Sequence, residues 1–186
     1  MIAQISMKRV CLINESLRGK HSSSLRILTN VECLLPRDEV EKSFINVRAG
    51  AHANYPKAIM ESMATADALV IAFPLFVYTL SGALTRLLEN FAAYVGCIRT
   101  THNHPKVYAI VNCGFVMPQT NEETLSVLKN YCYRLGFVWR FAVSIGRGPL
   151  SVIMKEIPLL NRGMRKGFAE MAAASEGKGS ATRRQC

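Results

Sequence analysis

Four serines, an arginine and a lysine crowd residues 14–24, Asn-Glu-Ser-Leu-Arg-Gly-Lys-His-Ser-Ser-Ser, between an apolar run ending at Ile13 and a segment with helical spacing. Hydroxyls and free backbone N–H groups at a helix start lie at its positive end, where they bind phosphate or another oxyanion, and the Arg18 guanidinium adds a fork of charged donors. Ser16, Arg18, Ser22, Ser23 and Ser24 are therefore candidate anion-binding residues. The competing reading of the same serines is a set of helix caps in a solvated loop. A second segment, Phe73-Pro74-Leu75-Phe76-Val77-Tyr78-Thr79-Leu80-Ser81-Gly82, is more apolar than a surface loop requires. Leu75, Phe76, Val77 and Tyr78 offer flat or aliphatic contacts to a planar ring beside Pro74, and Ser81 caps the next helix; alternatively these side chains finish the core. Asn112-Cys113-Gly114-Phe115 supplies a third wall, where Gly114 permits close backbone approach. Neither G-x-G-x-x-G nor G-x-x-x-x-G-K-[ST] occurs, which argues against a Rossmann dinucleotide turn and a Walker-type NTPase.

Short β-like runs that alternate with amphipathic helical stretches hold these loops in place, the pattern of an α/β sheet covered on both faces. Val10, Cys11, Leu12 and Ile13 form a continuous apolar run expected of a buried parallel strand. Helices are predicted over 22–35, 57–66, 81–95 and 121–135, and further strands over 44–47, 68–73, 106–113 and 137–145. The third helix carries Leu84, Leu87, Leu88, Phe91 and Val95 on one face. The fourth has Glu122 and Glu123 in its first turn and Gly136 as its stop. In the last strand Phe137, Trp139, Phe141, Val143 and Ile145 alternate with a mixed set, as expected at a sheet edge. Five parallel strands with right-handed crossovers give a doubly wound, flavodoxin-like sheet of order 2-1-3-4-5. Its ligand crevice lies outside the carboxyl ends of strands one and three, where the first two loops fall.

The chain has 186 residues and a net charge of +10, with 49% hydrophobic and 19% charged residues. That length makes one domain over 1–174 the expectation, with 175–186 a flexible polar tail. The longest apolar run, 68–80, contains Pro74 and falls short of the roughly 20 residues of a bilayer helix. Residues 1–10 contain no secretory apolar region, so a cytoplasmic location is expected. The charge sits at the ends: residues 1–26 hold five basic residues against one acid, residues 134–170 seven against two. Such a field suits an anionic partner, whether nucleic acid, an acidic surface or a phosphorylated small molecule. Cysteines at 11, 33, 97, 113, 132 and 186 make no C-x-x-C pair and are expected as reduced, mostly buried thiols. His102 and His104 lack a third ligand and are read as surface polar residues, so no metal is expected. Asp67 is read as a turn residue, Tyr131, Cys132 and Tyr133 as helix packing, and Arg162, Arg165 and Lys166 as a solvated helix face able to meet phosphates.

These segments together resemble the NAD(P)H-dependent FMN reductase branch of the flavodoxin-like superfamily. Its first strand leads into Gly-Ser-x-Arg and a Ser/Asn/Thr-rich helix start, matched by Ser16, Arg18, Ser22, Ser23 and Ser24. A polar turn before strand three, a strand ending in Pro-x-Tyr/Phe and a small-residue helix start are matched by Asp67, Pro74, Phe76, Ser81 and Gly82. The resemblance covers the first 115 residues, and the rest in outline. It implies FMN, with its phosphate in the first loop and its ring bordered by Pro74, Leu75, Phe76, Val77, Tyr78, Asn112, Cys113 and Gly114. It also implies NAD(P)H as reductant, a quinone, azo compound, nitro compound or free flavin as acceptor, and a homodimer. The flavin carries such chemistry, so no catalytic acid or base is assigned. Three departures stand out: Glu15 replaces the glycine, Leu17 replaces a common proline, and the segment after strand four lacks paired glycines. A one-electron carrier is disfavoured by the charge of +10. Glu15 leaves open an alternative, a flavodoxin-fold protein that has lost FMN and binds nucleic acid or another anion; nucleic acid and membrane are not expected partners of the reductase.

Overall fold

The computed structural model describes residues 7–16, 18, 21–35, 40–47, 55–97, 104–114 and 121–145. The elements, in chain order, are β1 (Lys8–Asn14), α1 (Ser23–Leu34), β2 (Val40–Asn46), α2 (Lys57–Ala64), β3 (Ala68–Pro74), α3 (Gly82–Cys97), β4 (Lys106–Asn112), α4 (Glu122–Arg134) and β5 (Val138–Ile145). The strands pair in parallel in the order β2-β1-β3-β4-β5, as expected from the sequence. The basic segment and the tail beyond residue 145, with Arg162, Arg165 and Lys166, lie outside the described residues.

Burial on both faces is what makes β1, β3 and β4 unbroken apolar runs. Along β1, Cys11 and Ile13 enter the core shared with α2, α3 and α4, while Val10 and Leu12 enter the core shared with α1. In β3 the same alternation sends Leu69, Ile71 and Phe73 one way and Ala68, Val70 and Ala72 the other. The α3 stripe Leu84, Leu87, Leu88, Phe91 and Val95 is buried throughout, as its spacing predicts. Phe91 meets the Phe137 ring at 5.7 Å between centroids, and the Tyr131 hydroxyl donates to the Leu88 carbonyl at 2.7 Å, tying α4 to α3. Each such fully buried side chain is worth about 1.5–3 kcal/mol of burial. Helix α4 stops at Gly136, φ 70°, where Phe137 N–H donates to Cys132 O and Gly136 N–H to Tyr133 O. This pair of bonds closes the last turn around a left-handed glycine.

Two expectations need correction. Strand β2 begins at Val40, well before Phe44, because Glu41, Lys42 and Ser43 lie on a sheet edge where polar side chains reach solvent. In β5 the single alternating face does not persist. The register passes from Val107↔Trp139 to Tyr108↔Phe141, skipping Arg140, and the extra residue moves Phe141, Val143 and Ile145 to the α1 face while Phe137 and Trp139 stay on the other. Cys11, Cys113 and Cys132 are buried thiols, but Cys33 and Cys97 are exposed.

Candidate functional site

At the carboxyl ends of β1, β3 and β4 the register sets Asn14 beside Ala72 and Pro74 beside Asn112. The three loops singled out in the sequence therefore start from adjacent strands. Ser22 is the N-cap of α1: with φ −79° and ψ 142°, its Oγ accepts from the Leu25 N–H at 3.0 Å. Ser16 is buried, and its Oγ accepts from the Arg18 N–H at 3.3 Å. Ser24 is buried as well and accepts from Asn112 Nδ2 at 2.9 Å. Ser23 opens the helix, partly exposed, and Arg18 stands exposed in the turn that His21 N–H closes onto the Arg18 carbonyl. Each of the oxygens of Ser16, Ser22 and Ser24 thus accepts from the protein, and the proton of each is the part left to donate. Capping and anion binding are compatible uses of one hydroxyl. Asn112 also donates to the Phe73 carbonyl at 3.4 Å, so one amide joins α1, β3 and β4.

The loop after β3 is built differently. Leu75 N–H donates to the Asn112 carbonyl at 2.7 Å, and the Leu75 side chain packs against the core of α2, α3 and α4. Phe76 and Thr79 then exchange backbone bonds of 3.1 and 3.0 Å around Val77 and Tyr78, whose φ angles are 49° and 61°. Both central residues of this tight turn are left-handed, which suits Asn-Gly and strains a β-branched valine. The Thr124 hydroxyl at the start of α4 donates to the Tyr78 carbonyl at 2.9 Å and braces the turn. Phe76, Val77 and Tyr78 do not finish the core: all three are exposed, Val77 to 78%. Cys113 is buried, with its N–H on the Ile145 carbonyl at 2.9 Å. Gly114 is exposed, and a Cβ added there would meet no atom within 4 Å, so space lies open beside the backbone. Phe115, Leu17, Gly19 and Lys20 lie outside the described residues.

Two residues that sequence reasoning did not count as site residues lie where β1 passes into its loop. Asn14, fully buried, has both amide atoms without a hydrogen-bond partner, and Glu15, 2% exposed, has Oε2 in the same condition. Orphaned polar atoms at such depth are rare in folded proteins. The signal available was an asparagine and a glutamate closing a strand otherwise buried on both faces. Glu15 N–H donates to the Ala72 carbonyl at 2.9 Å, continuing the strand. By alternation its side chain lies on the α2–α3 side of the sheet, opposite α1. There the Ser81 hydroxyl donates to the carboxylate, and Ser81 Oγ accepts from Leu84 N–H at 3.2 Å as the cap of α3. Burial raises the Glu15 pKa above the ordinary carboxylate value, with the Ser81 bond pulling it down. Tyr55 faces the same corner and donates to the carbonyls of Val47 at 3.1 Å and Ala83 at 3.3 Å. Burial raises its phenol pKa; Arg86 opposes this and the Glu15 charge adds to it.

Asp67 lies at the opposite end of the sheet, where Oδ2 accepts from the Arg9 N–H at 2.8 Å, a turn residue. His104 Nδ1 is 2.9 Å from the Gly136 carbonyl oxygen, and His102 is outside the described residues. Among the described residues no cluster of three His, Cys, Asp or Glu could hold a metal. Tyr131 and Cys132 pack inward as expected; Tyr133 is exposed. No helix among the described residues is long and apolar enough to cross a membrane.

No family model and no curated protein sequence matches the chain. Solved structures do. An oxidoreductase from Corynebacterium diphtheriae superposes with a TM-score of 0.69 at 13% identity, over 92% of this chain and 96% of the other. An NAD(P)H:quinone oxidoreductase from Methanothermobacter marburgensis gives 0.65 at 13% identity, over 97% and 100%. An NADH:FMN oxidoreductase in its apo form gives 0.65 at 12% identity, over 95% and 92%. With its strand order and these neighbours, the chain has the flavodoxin-like α/β fold that these structures share.

Proposed function

We propose that the protein is an FMN-dependent oxidoreductase that takes reducing equivalents from NAD(P)H and delivers them to a small acceptor. The observation that carries this reading is the row of serine hydroxyls at the N-terminus of α1, set at the crevice beyond β1 and β3. Two of the similar structures are named for NADH:FMN and NAD(P)H:quinone chemistry, which supports the same reading.

The residues fit the FMN phosphate. The protons of Ser16, Ser22 and Ser24, the partly exposed Ser23 and the exposed Arg18 are donors to an oxyanion, and the Glu15 carboxyl is turned to the other side of the sheet. Open space beside Gly114 suits the ring end, with Pro74, Leu75, Asn112 and Cys113 at the adjoining carboxyl ends of β3 and β4, and Phe76, Val77 and Tyr78 offer it an apolar flank. When bound, FMN would supply hydride acceptance from reduced nicotinamide and electron transfer to a quinone, azo compound, nitro compound or free flavin. The protein's part is to bind, orient and exclude water. We place the enzyme in the cytoplasm as a single domain over residues 1–174, active as a homodimer whose partner covers the exposed turn.

The test is the visible spectrum of the purified protein before and after addition of FMN, followed by NADPH and, separately, NADH. Flavin bands that bleach on reduction are the expected result. Failure to take up FMN at any concentration sinks the reading and turns attention to an FMN-free binding protein for an anionic partner.

A further inference from the structure

Hydroxyls on the helices are used in two ways. Thr29, Thr65, Thr85 and Ser126 each donate to the carbonyl four residues back in the chain, a local bond that ties nothing distant. Thr124, in the first turn of α4, donates instead to the Tyr78 carbonyl at 2.9 Å, across 46 positions of the chain, and the residue is fully buried. The helix start that carries it is itself anchored. Asn121, at the N-cap, makes no capping bond with its side chain and sends its amide to the Ser144 hydroxyl of β5 at 2.6 Å. Asparagine is among the favoured capping residues, so a local bond is forgone here for a long-range one. Ser144, Asn121 and Thr124 thus form one line of support from β5, through the start of α4, to the turn after β3.

At the end of that line stands a backbone whose shape its own residue types disfavour. Val77 and Tyr78 have φ angles of 49° and 61°, a region that a β-branched or bulky side chain avoids. The right-handed form of such a turn is its near mirror image, and it directs the two central side chains elsewhere. Strained backbone of this kind persists where the surrounding structure over-determines it. We propose that Thr124 is a positioning residue for the ring end of the site: its hydroxyl, fixed through α4, keeps the 76–79 turn left-handed and so sets where Phe76, Val77 and Tyr78 meet the flavin ring. The inference rests on the FMN reading above. The phosphate end is independent of this support, because Ser16 and Ser22 are held by bonds within the first loop and α1, and Ser24 from β4.

The experiment compares wild type with Thr124→Val, which keeps the branched shape and removes the hydroxyl, and with Thr124→Ser, which keeps the hydroxyl; Thr124→Ala stands in should the valine variant fold poorly. Each full-length protein is titrated with FMN and, in parallel, with riboflavin, which has the ring without the phosphate. Binding is read by flavin fluorescence, and the visible circular dichroism of the bound flavin is recorded at saturation. The expected result is that Thr124→Val weakens both flavins by the same factor, about three- to tenfold, and alters the dichroism, while Thr124→Ser restores both. In a Val77→Asn background, whose asparagine tolerates the left-handed region, the loss from Thr124→Val is smaller. A lower melting temperature with flavin affinities and dichroism unchanged marks a structural threonine; it overturns the inference and leaves the FMN reading standing. So does a loss confined to FMN, or one undiminished in the Val77→Asn background. Failure of wild type to bind either flavin overturns both.

Discussion

The junctions β1–α1 and β3–α3 leave neighbouring strands at the same end of the sheet, yet they solve opposite problems. The first is polar and sunk: Asn14, Glu15, Ser16, Ser22 and Ser24 are all buried, the three serines accepting bonds from backbone N–H groups or from Asn112. The second is apolar and raised, a turn with two positive φ angles that lifts Phe76, Val77 and Tyr78 into solvent. Buried polar groups and exposed apolar ones are each unfavourable alone. On the FMN reading, side by side they match a ligand with a charged end and a flat end, and the misfits of the two loops become complementary.

The comparison breaks most visibly at Arg18. Arg18→Ala is expected to weaken FMN binding by about 1.5–3 kcal/mol, the range for a bond to a charged group, with riboflavin affinity unchanged. Equal losses for both flavins would move the phosphate to another place. Next comes the turn. Replacing Val77 by Asn and Tyr78 by Gly relieves two left-handed φ angles, each worth roughly 1 kcal/mol or more, and is expected to raise thermal stability while weakening flavin binding. A double variant that is no more stable would mean that the strain is compensated within the turn. Ser22→Ala separates capping from ligand binding: about 1 kcal/mol of stability goes with the cap, and FMN affinity falls in addition. Stability alone changing would leave the phosphate to Ser16 and Ser24.

The smallest effect is on stability against pH. Because the Glu15 pKa is raised in the folded state, the protein binds more protons folded than unfolded above the ordinary carboxylate pKa. Its contribution is therefore fully present below that value and is lost as pH rises through the folded pKa. Melting temperatures of Glu15→Gln and wild type should converge in acid and separate toward neutral pH, the variant being the more stable. A gap that widens in acid would show that the carboxylate is stabilised by its surroundings instead.

Much of the scaffold was legible because its signals are local. Unbroken apolar runs marked β1, β3 and β4, and the five-residue stripe marked α3, so the strand order followed from fold rules with few alternatives. The edges were harder. Polar Glu41, Lys42 and Ser43 hide the first half of β2, and the bulge at Arg140 depends on how β5 meets β4, which no pattern along one strand encodes. Within the site, the serines and Arg18 announced themselves by type and spacing. The left-handed turn did not, since valine and tyrosine are strand formers, and the bonds between Phe76 and Thr79 with the Thr124 brace belong to the folded chain. The burial of Glu15 was equally hidden: a glutamate in a serine-rich loop reads as solvated until the sheet alternation turns it inward.

The Asn112 amide that reaches Ser24 spans 88 positions of the chain. Ser22 caps α1 through a local bond from the Leu25 N–H, whereas Ser24 is held from across the sheet, by β4. A change at Asn112 therefore reaches the start of α1 while leaving its cap in place, so two serines two positions apart answer to different parts of the chain.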